Sequence, residues 1–162
     1  MTDSPQIRLT HLDSSGAAYM VDVTEKTPTV RSASAAAMVR CSPAIVEALR
    51  AGTVPKGDVL AVARIAGIAA AKRVPELLPL AHVISVHGAR VDLEIVGDGV
   101  EIRATVRTAD RTGVEMEALT AVTVAGLAVV DMVKGVDRGV MLTDARVTAK
   151  SGGRSGDWTR PE

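Results

Sequence analysis

The sequence has very few aromatic or sulfhydryl side chains. Among its 162 residues there is no phenylalanine, and Tyr19, Trp158 and Cys41 are the single tyrosine, tryptophan and cysteine. A lone cysteine excludes an intramolecular disulfide and a cysteine-rich metal or iron–sulfur site. Scarce aromatic rings leave no platform on which nucleic acid bases would stack. The core must therefore be filled by Val, Ala, Leu, Ile and Met.

The chain also lacks an excess of charge of either sign. Its 19 lysines and arginines balance 19 acids, so nucleic acid is not an expected partner. The amino terminus has no apolar secretory stretch, and we expect a soluble, cytoplasmic protein with no membrane contact. A chain of this length predicts one domain, with an irregular arm at 1–27, an α+β domain at 28–150 and a flexible Gly/Ser-rich tail at 151–162.

A long uncharged run lies between Glu117 and Asp131. Apolar residues occupy every face of a helical spiral, which predicts a helix buried all round. The run is too short to cross a membrane, which takes roughly 18 apolar residues or more. Thr112 and Glu115 form the Thr-x-x-Glu pattern of a capping box, so we expect the helix to start there and to stop near Gly135.

Charged residues stand at both ends of this helix. Glu115 either caps the helix or binds a ligand, whereas Glu117 has no capping role. Asp131 and Lys134 share one helix face, as a surface ion pair or as a pair that exchanges protons with a substrate. Glu117 and Asp131 are about 21 Å apart along the axis. If both ends are functional, two copies of the chain would assemble the site.

The remaining elements are a strand, two helices, a loop and a hairpin before the long helix, and one more strand after it. Asp58 is the expected cap of the second helix, and Gly97-Asp98-Gly99 predicts a hairpin. The predicted ranges are a strand at Thr29–Val39, helices from Pro43 to about Arg50 and at Val59–Arg73, a loop at Pro75–His82, and strands at Val83–Ile95, Val100–Thr108 and Val140–Ala149. This order predicts an α+β fold, a ferredoxin-like antiparallel sheet with helices packed on one face.

Several polar positions have two interpretations. Arg31 is a surface strand residue or an anion clamp. His82 ends a proline-punctuated loop, where it binds an anion, donates to a base edge or satisfies a carbonyl. Arg73 suits the end of a helix dipole without any further role. In the tail, Lys150 and the glycines that follow it form a flexible linker or approach phosphate oxygens with their backbone N–H groups.

Six motifs together resemble one family. They are Lys-Gly-Asp-Val-Leu at 56–60, Ala-Arg-Ile-Ala-Gly-Ile-Ala-Ala-Ala-Lys-Arg at 63–73, Leu-Pro-Leu-Ala-His at 78–82, Gly-Val-Glu-Met-Glu-Ala-Leu-Thr at 113–120, Asp-Met-Val-Lys at 131–134 and Lys-Ser-Gly-Gly-Arg-Ser-Gly at 150–156. In this order they closely resemble the cyclic pyranopterin monophosphate synthases (MoaC) of molybdenum cofactor biosynthesis, over nearly the whole chain.

The resemblance implies a lyase. Such an enzyme rearranges a cyclised dihydroguanosine triphosphate into the cyclic pyranopterin monophosphate and releases pyrophosphate. It implies no redox cofactor and no protein-bound metal, and leaves open whether magnesium accompanies the phosphates. It further implies a homohexamer built as a trimer of dimers, with each active site at a dimer interface, and the segment 28–150 would be the catalytic domain.

The resemblance also assigns residues. Asp131 and its partner Lys134 correspond to the catalytic acid/base pair. The positions that correspond to substrate contacts are Arg31, Lys56, Leu80, Ala81, His82, Glu115, Met116, Glu117 and Lys150, with Arg73 and Arg154 as weaker candidates. Where the family commonly has Cys-His-Pro, this chain has Ala81-His82-Val83. That departure motivates an alternative, a non-catalytic paralogue that binds a guanosine nucleotide or scaffolds the pathway.

Overall fold

The computed structural model describes residues 11–161. The predicted helices and strands follow one another in the expected order along this part of the chain, with one short helix and one short strand in addition. The elements are β1 (Thr29–Arg40), α1 (Pro43–Ala51), α2 (Val59–Ala71), α3 (Val74–Leu77), β2 (Gly88–Val96), β3 (Gly99–Asp110), α4 (Glu115–Val133), β4 (Met141–Ser151) and β5 (Trp158–Thr159).

The strands form one antiparallel sheet in the order β2-β3-β1-β4-β5. The β1–β3 ladder runs from Thr29 opposite Asp110 to Arg40 opposite Gly99. Val96 pairs with Gly99, so β2 and β3 are joined by a two-residue turn, which confirms the predicted hairpin. This strand order, with helices between β1 and β2 and between β3 and β4, is ferredoxin-like and confirms the predicted α+β fold.

Small side chains bring the helices close to the sheet. The inner face of β1 carries Ala33, Ala35, Ala37 and Val39, all in the core beneath α4. A Cβ at Gly67 of α2 would lie 2.8 Å from the carbonyl oxygen of Ala121 in α4. No real Cβ tolerates that contact, so the two helices pack as closely as a glycine permits. A core without phenylalanine is thus filled by close approach of backbones.

The prediction that α4 is buried all round is wrong for the single chain. Ala118, Val122 and Val129 are fully buried, but Leu127 and Met116 are 54% and 41% exposed. Apolar periodicity cannot distinguish a helix enclosed by its own chain from one with an uncovered apolar face. α4 extends beyond the uncharged run at both ends and is long and apolar enough to span a membrane, yet one side of it packs in the core against α2 and the sheet.

The predicted capping box at the start of α4 is also wrong. The N-cap is Val114, and no side chain caps the helix there. Glu115 instead points towards Lys150, with 3.5 Å between its Oε1 and the lysine Nζ. Asp58 does cap α2, because its Oδ1 accepts a hydrogen bond from the Ala61 N–H at 2.9 Å. Local patterns therefore predicted one helix start and missed the other.

Several other features differ from the sequence prediction. α2 ends at Ala71 rather than Arg73, the predicted loop contains the short helix α3, and β2 starts at Gly88 rather than Val83. In the predicted flexible tail, β5 pairs with β4, with Trp158 opposite Lys150. The arm from 11 to 27 has turns and one isolated bridge, between Leu12 and Ala18. Residues 1–10 of the predicted arm lie outside the described residues.

Candidate functional site

The carboxyl end of α4 carries one acid between two lysines. Lys134 Nζ lies 2.7 Å from Asp131 Oδ1, and Lys56 Nζ lies 3.6 Å from Asp131 Oδ2. Lys56 also donates a 2.7 Å hydrogen bond to the Asp131 carbonyl oxygen, so the loop before α2 is tied to the end of α4. We call Lys56, Asp131 and Lys134 the Asp131 cluster.

The charges of this cluster are arranged for proton transfer and anion binding. The hydrogen bond from Lys134, with the charges of Lys134 and Lys56, holds the pKa of Asp131 below its usual value. Asp131 is therefore an ionised carboxylate, an acceptor held beside two ammonium donors. All three side chains are at least half exposed in the single chain, so a substrate or a second chain can reach them.

The amino end of α4 borders a cleft of about 430 Å³. Three consecutive helix residues, Glu115, Met116 and Glu117, line it together with the loop residues Leu80, Ala81 and His82. We call this space the glutamate cleft. Residues of the N-terminal arm complete its wall, namely His11, Val21, Val23 and Lys26. The structure thus gathers six of the predicted substrate contacts in one place.

Glu117 is the buried acid of this cleft, with 4% of its surface exposed. Burial, followed by repulsion from Glu115, raises the pKa of Glu117 to about 7. Both protonation states are therefore accessible near neutral pH, so the carboxyl group can donate as well as accept a hydrogen bond or a proton.

A smaller basic cleft adjoins the glutamate cleft and shares Gly113 and Glu115 with it. It is lined by Arg31 and Ser32 of β1, by Lys150 and Ser151 at the end of β4, and by Gly152 and Ser155 of the following loop. Antiparallel pairing of Ser32 with Ser151 brings the start of β1 to the end of β4. The tail predicted as a linker or phosphate contact thus stands beside Glu115.

Two contacts orient the cations of the basic cleft. Arg31 Nε donates to the Asp110 carbonyl oxygen at 2.9 Å, and Lys150 Nζ donates to Ser155 Oγ at 2.6 Å. Gly153 has a left-handed backbone, with φ of +75°, and a Cβ there would overlap the Arg31 guanidinium. The absence of a side chain at Gly153 therefore leaves space for the Arg31 guanidinium in the cleft. This contact could not be predicted from either residue in the sequence.

The two weaker candidates, Arg73 and Arg154, lie in different surroundings. Arg154 lines a neighbouring cleft with Arg31 and Lys26. Arg73 precedes α3, and within residues 11–161 its side chain makes no hydrogen bond or ion pair.

The arm residues of the glutamate cleft were not predicted from the sequence, because the arm has no periodicity. The one available signal was the basic side chain of Lys26 close to β1.

One chain does not bring the two ends of α4 together. Arg31, Leu80–His82, Glu115–Glu117 and Lys150 share the amino end, whereas the Asp131 cluster lies at the carboxyl end, about 21 Å along the helix from Glu117. Because α4 is one continuous helix through both positions, the separation calculated from the sequence applies to the folded chain.

Known proteins resemble this chain over a range that includes both ends of α4. The model of the MoaC family matches residues 20–153. The protein called cyclic pyranopterin monophosphate synthase in Streptomyces coelicolor is 63% identical over 96% of this chain and 92% of its own length. The one in Nocardioides sp. is 60% identical over 99% of this chain and all of its own length, and cyclic pyranopterin monophosphate synthase 2 of Mycobacterium tuberculosis is 54% identical over 94% and 91%. By its sequence, this chain belongs to the MoaC family.

Proposed function

We propose that the protein is an active cyclic pyranopterin monophosphate synthase of molybdenum cofactor biosynthesis. Its substrate is a cyclised dihydroguanosine triphosphate, and its products are the cyclic pyranopterin monophosphate and pyrophosphate. Relatives with this name cover nearly the whole chain. The observation that carries the proposal is the junction of two clefts at Glu115, one with two cations and one with a buried acid.

The amino end of α4 binds the substrate. Arg31 and Lys150 supply positive charge for the triphosphate and for the charge that builds on departing pyrophosphate. Glu115 and Glu117 contact the guanine-like edge, which offers N–H donors, and Met116 packs against the base. Leu80, Ala81 and His82 form the loop on the other side of the bound molecule. Ala81 acts through its backbone, so the missing thiol does not impair the reaction.

The Asp131 cluster performs the acid–base steps. Opening the five-membered ring of the purine and reclosing it in the new ring system moves protons at nitrogen and carbon. The Asp131 carboxylate accepts a proton, and the Lys134 ammonium donates one. Lys56 holds Asp131 in place and contributes charge near the phosphates.

A second copy of the chain joins the two ends. In the proposed homohexamer, a trimer of dimers, the glutamate cleft of one protomer faces the Asp131 cluster of its neighbour. The exposed apolar residues Met116 and Leu127 of α4 and Ile65 of α2 support burial of this side by a partner. The enzyme works in the cytoplasm without a redox cofactor, nucleic acid or membrane, and any magnesium arrives with the phosphates of the substrate.

The test is direct turnover. Purified protein incubated with the cyclised triphosphate should release pyrophosphate and form the cyclic monophosphate in equal amounts. Tight binding without pyrophosphate release would instead identify a non-catalytic nucleotide-binding paralogue.

A further inference from the structure

The N-terminal arm, here residues 11–27, contacts a proposed substrate-binding side chain directly. His82 is half-buried in the wall of the glutamate cleft, and its Nε2 lies 2.6 Å from the Val21 carbonyl oxygen. The contact spans 61 residues of sequence. The arm is therefore positioned to influence how His82 meets a ligand.

The Val21 contact determines which ring nitrogen carries the proton. A carbonyl oxygen only accepts hydrogen bonds, so Nε2 must be the donor. In a neutral imidazole, a proton on Nε2 leaves Nδ1 with its lone pair. Within residues 11–161, no protein group hydrogen bonds to Nδ1. Nδ1 is thus the ring nitrogen that can accept a hydrogen bond from a bound molecule.

The arm is folded so that the Val21 carbonyl is held in place. Directly after Val21, Asp22 Oδ1 accepts hydrogen bonds from the Thr24 N–H at 2.8 Å and from Thr24 Oγ1 at 2.6 Å. This is an Asx turn, which fixes the chain direction locally. Further along, Arg111 Nε donates to the Lys26 carbonyl oxygen at 2.9 Å, anchoring the arm to the end of β3.

We propose that the Val21 carbonyl is a positioning group for catalysis, which holds His82 as the Nε2–H tautomer and presents Nδ1 to an N–H or O–H group of the substrate. The proposal rests on the proposed role of His82 as a substrate contact. The titratable groups that line the same cleft as the ring are His11 and Lys26 from the arm and Glu115 and Glu117 from α4. Asp22 of the arm lies close enough to interact electrostatically with His82. Partners that orient metal-binding histidines typically contribute about 10- to 100-fold to metal affinity or activity, and we expect an effect at the lower end of that range for His82.

The tautomer can be read by nitrogen NMR of the ligand-free, full-length protein labelled at its three histidines. Signals of His82 are those lost in His82→Gln. In spectra recorded at a pH where the His82 ring is neutral, we expect the ring proton on Nε2. A proton on Nδ1, or an even mixture of tautomers, would overturn the proposal.

Matched variants test the role of the arm. Asp22→Ala removes the turn after Val21, and we expect mixed His82 tautomers and a fall in kcat of about tenfold. Asp22→Asn keeps the accepting oxygen and should resemble the wild type. Asp13→Ala breaks a similar turn that does not involve Val21, where Asp13 Oδ1 accepts from the Ser15 N–H at 2.8 Å, and should also resemble the wild type. If the His82 spectrum is unchanged both in Asp22→Ala and in a deletion of residues 1–22, the proposal is wrong.

Two substitutions of His82 show which nitrogen matters. Asparagine places an amide atom near the position of Nδ1, and glutamine places one near Nε2. We expect His82→Asn to retain at least about tenfold more kcat/KM than His82→Gln. Equal or reversed values would refute the role of Nδ1. The NMR result needs no turnover, so it stands apart from the test of the proposed function.

Discussion

Glu117 and Asp131 lie on the same helix, about 21 Å apart along its axis, with Glu117 buried and Asp131 exposed. No small-molecule reaction centre in one chain reaches both residues. If two chains share each site, variants altered at opposite ends of α4 should complement each other.

Inactive variants altered at opposite ends of α4 should restore activity when mixed. Co-expressed Glu117→Ala and Asp131→Asn chains form mixed dimers in which one of the two shared sites is intact, so random pairing predicts about a quarter of wild-type turnover. The measurement is kcat of purified mixed oligomers that carry two different tags. Co-expression of Asp131→Asn with Lys134→Ala, both at one end, is the control and should stay inactive. Absence of recovery in the first mixture would refute a site shared between two chains in this way.

Loss of either member of the catalytic pair should abolish turnover without disassembly. Asp131→Asn keeps the shape but removes the accepting charge, and Lys134→Ala removes the donor, so each should lower kcat by at least about 100-fold. Pyrophosphate release and light scattering measure activity and assembly. Asp92→Asn alters another exposed acid in an ion pair, with Arg90, and should leave turnover unchanged. Full turnover in both cluster variants would remove Asp131 and Lys134 from the mechanism.

Stability should fall with rising pH because of Glu117. Its pKa is 4.5 when unperturbed and about 7 in the folded protein, so the folded state binds the proton more tightly. The free energy of unfolding therefore decreases as the pH rises from 4.5 to about 7, by at most about 3 kcal/mol.

Urea unfolding of Glu117→Gln measures this effect. The variant should be more stable than the wild type near pH 8 and should lose this part of the pH dependence. Glu94→Gln, at an exposed position, is the control and should follow the wild-type curve. Parallel curves for wild type and Glu117→Gln would show that Glu117 ionises as freely as it does in the unfolded chain.

A single methyl group at Gly153 should weaken substrate binding. In Gly153→Ala the new Cβ overlaps the Arg31 guanidinium, so the end of this flexible side chain must shift from its position in the basic cleft, and KM should rise by up to about tenfold. Gly156→Ala is the matched control, because Gly156 has a similar φ of +66° but nothing within 4 Å of its Cβ position. Equal effects of the two substitutions on KM would attribute the change to backbone strain alone.

Local chemistry made several elements predictable from the sequence. Asp58 caps α2, and the Gly97-Asp98 pair turns β2 into β3, because both signals act over a few residues. The capping box predicted at Thr112 does not form, since the Glu115 carboxylate lies beside the ammonium group of Lys150, a residue of β4. The arm was predicted to be irregular, yet it forms a wall of the glutamate cleft, a role that no local pattern in an aperiodic segment records.

The order of the elements, the ferredoxin-like class, the spacing of charges along α4 and the resemblance to the MoaC family could all be predicted from the amino-acid sequence. These follow from periodicity and residue identity, which are local properties of a chain. The burial of Glu117, the space that Gly153 leaves for Arg31 and the contact of Val21 with His82 became evident only in the folded chain. Each of these depends on contacts between segments distant in sequence, and burial and close packing arise only where such segments meet.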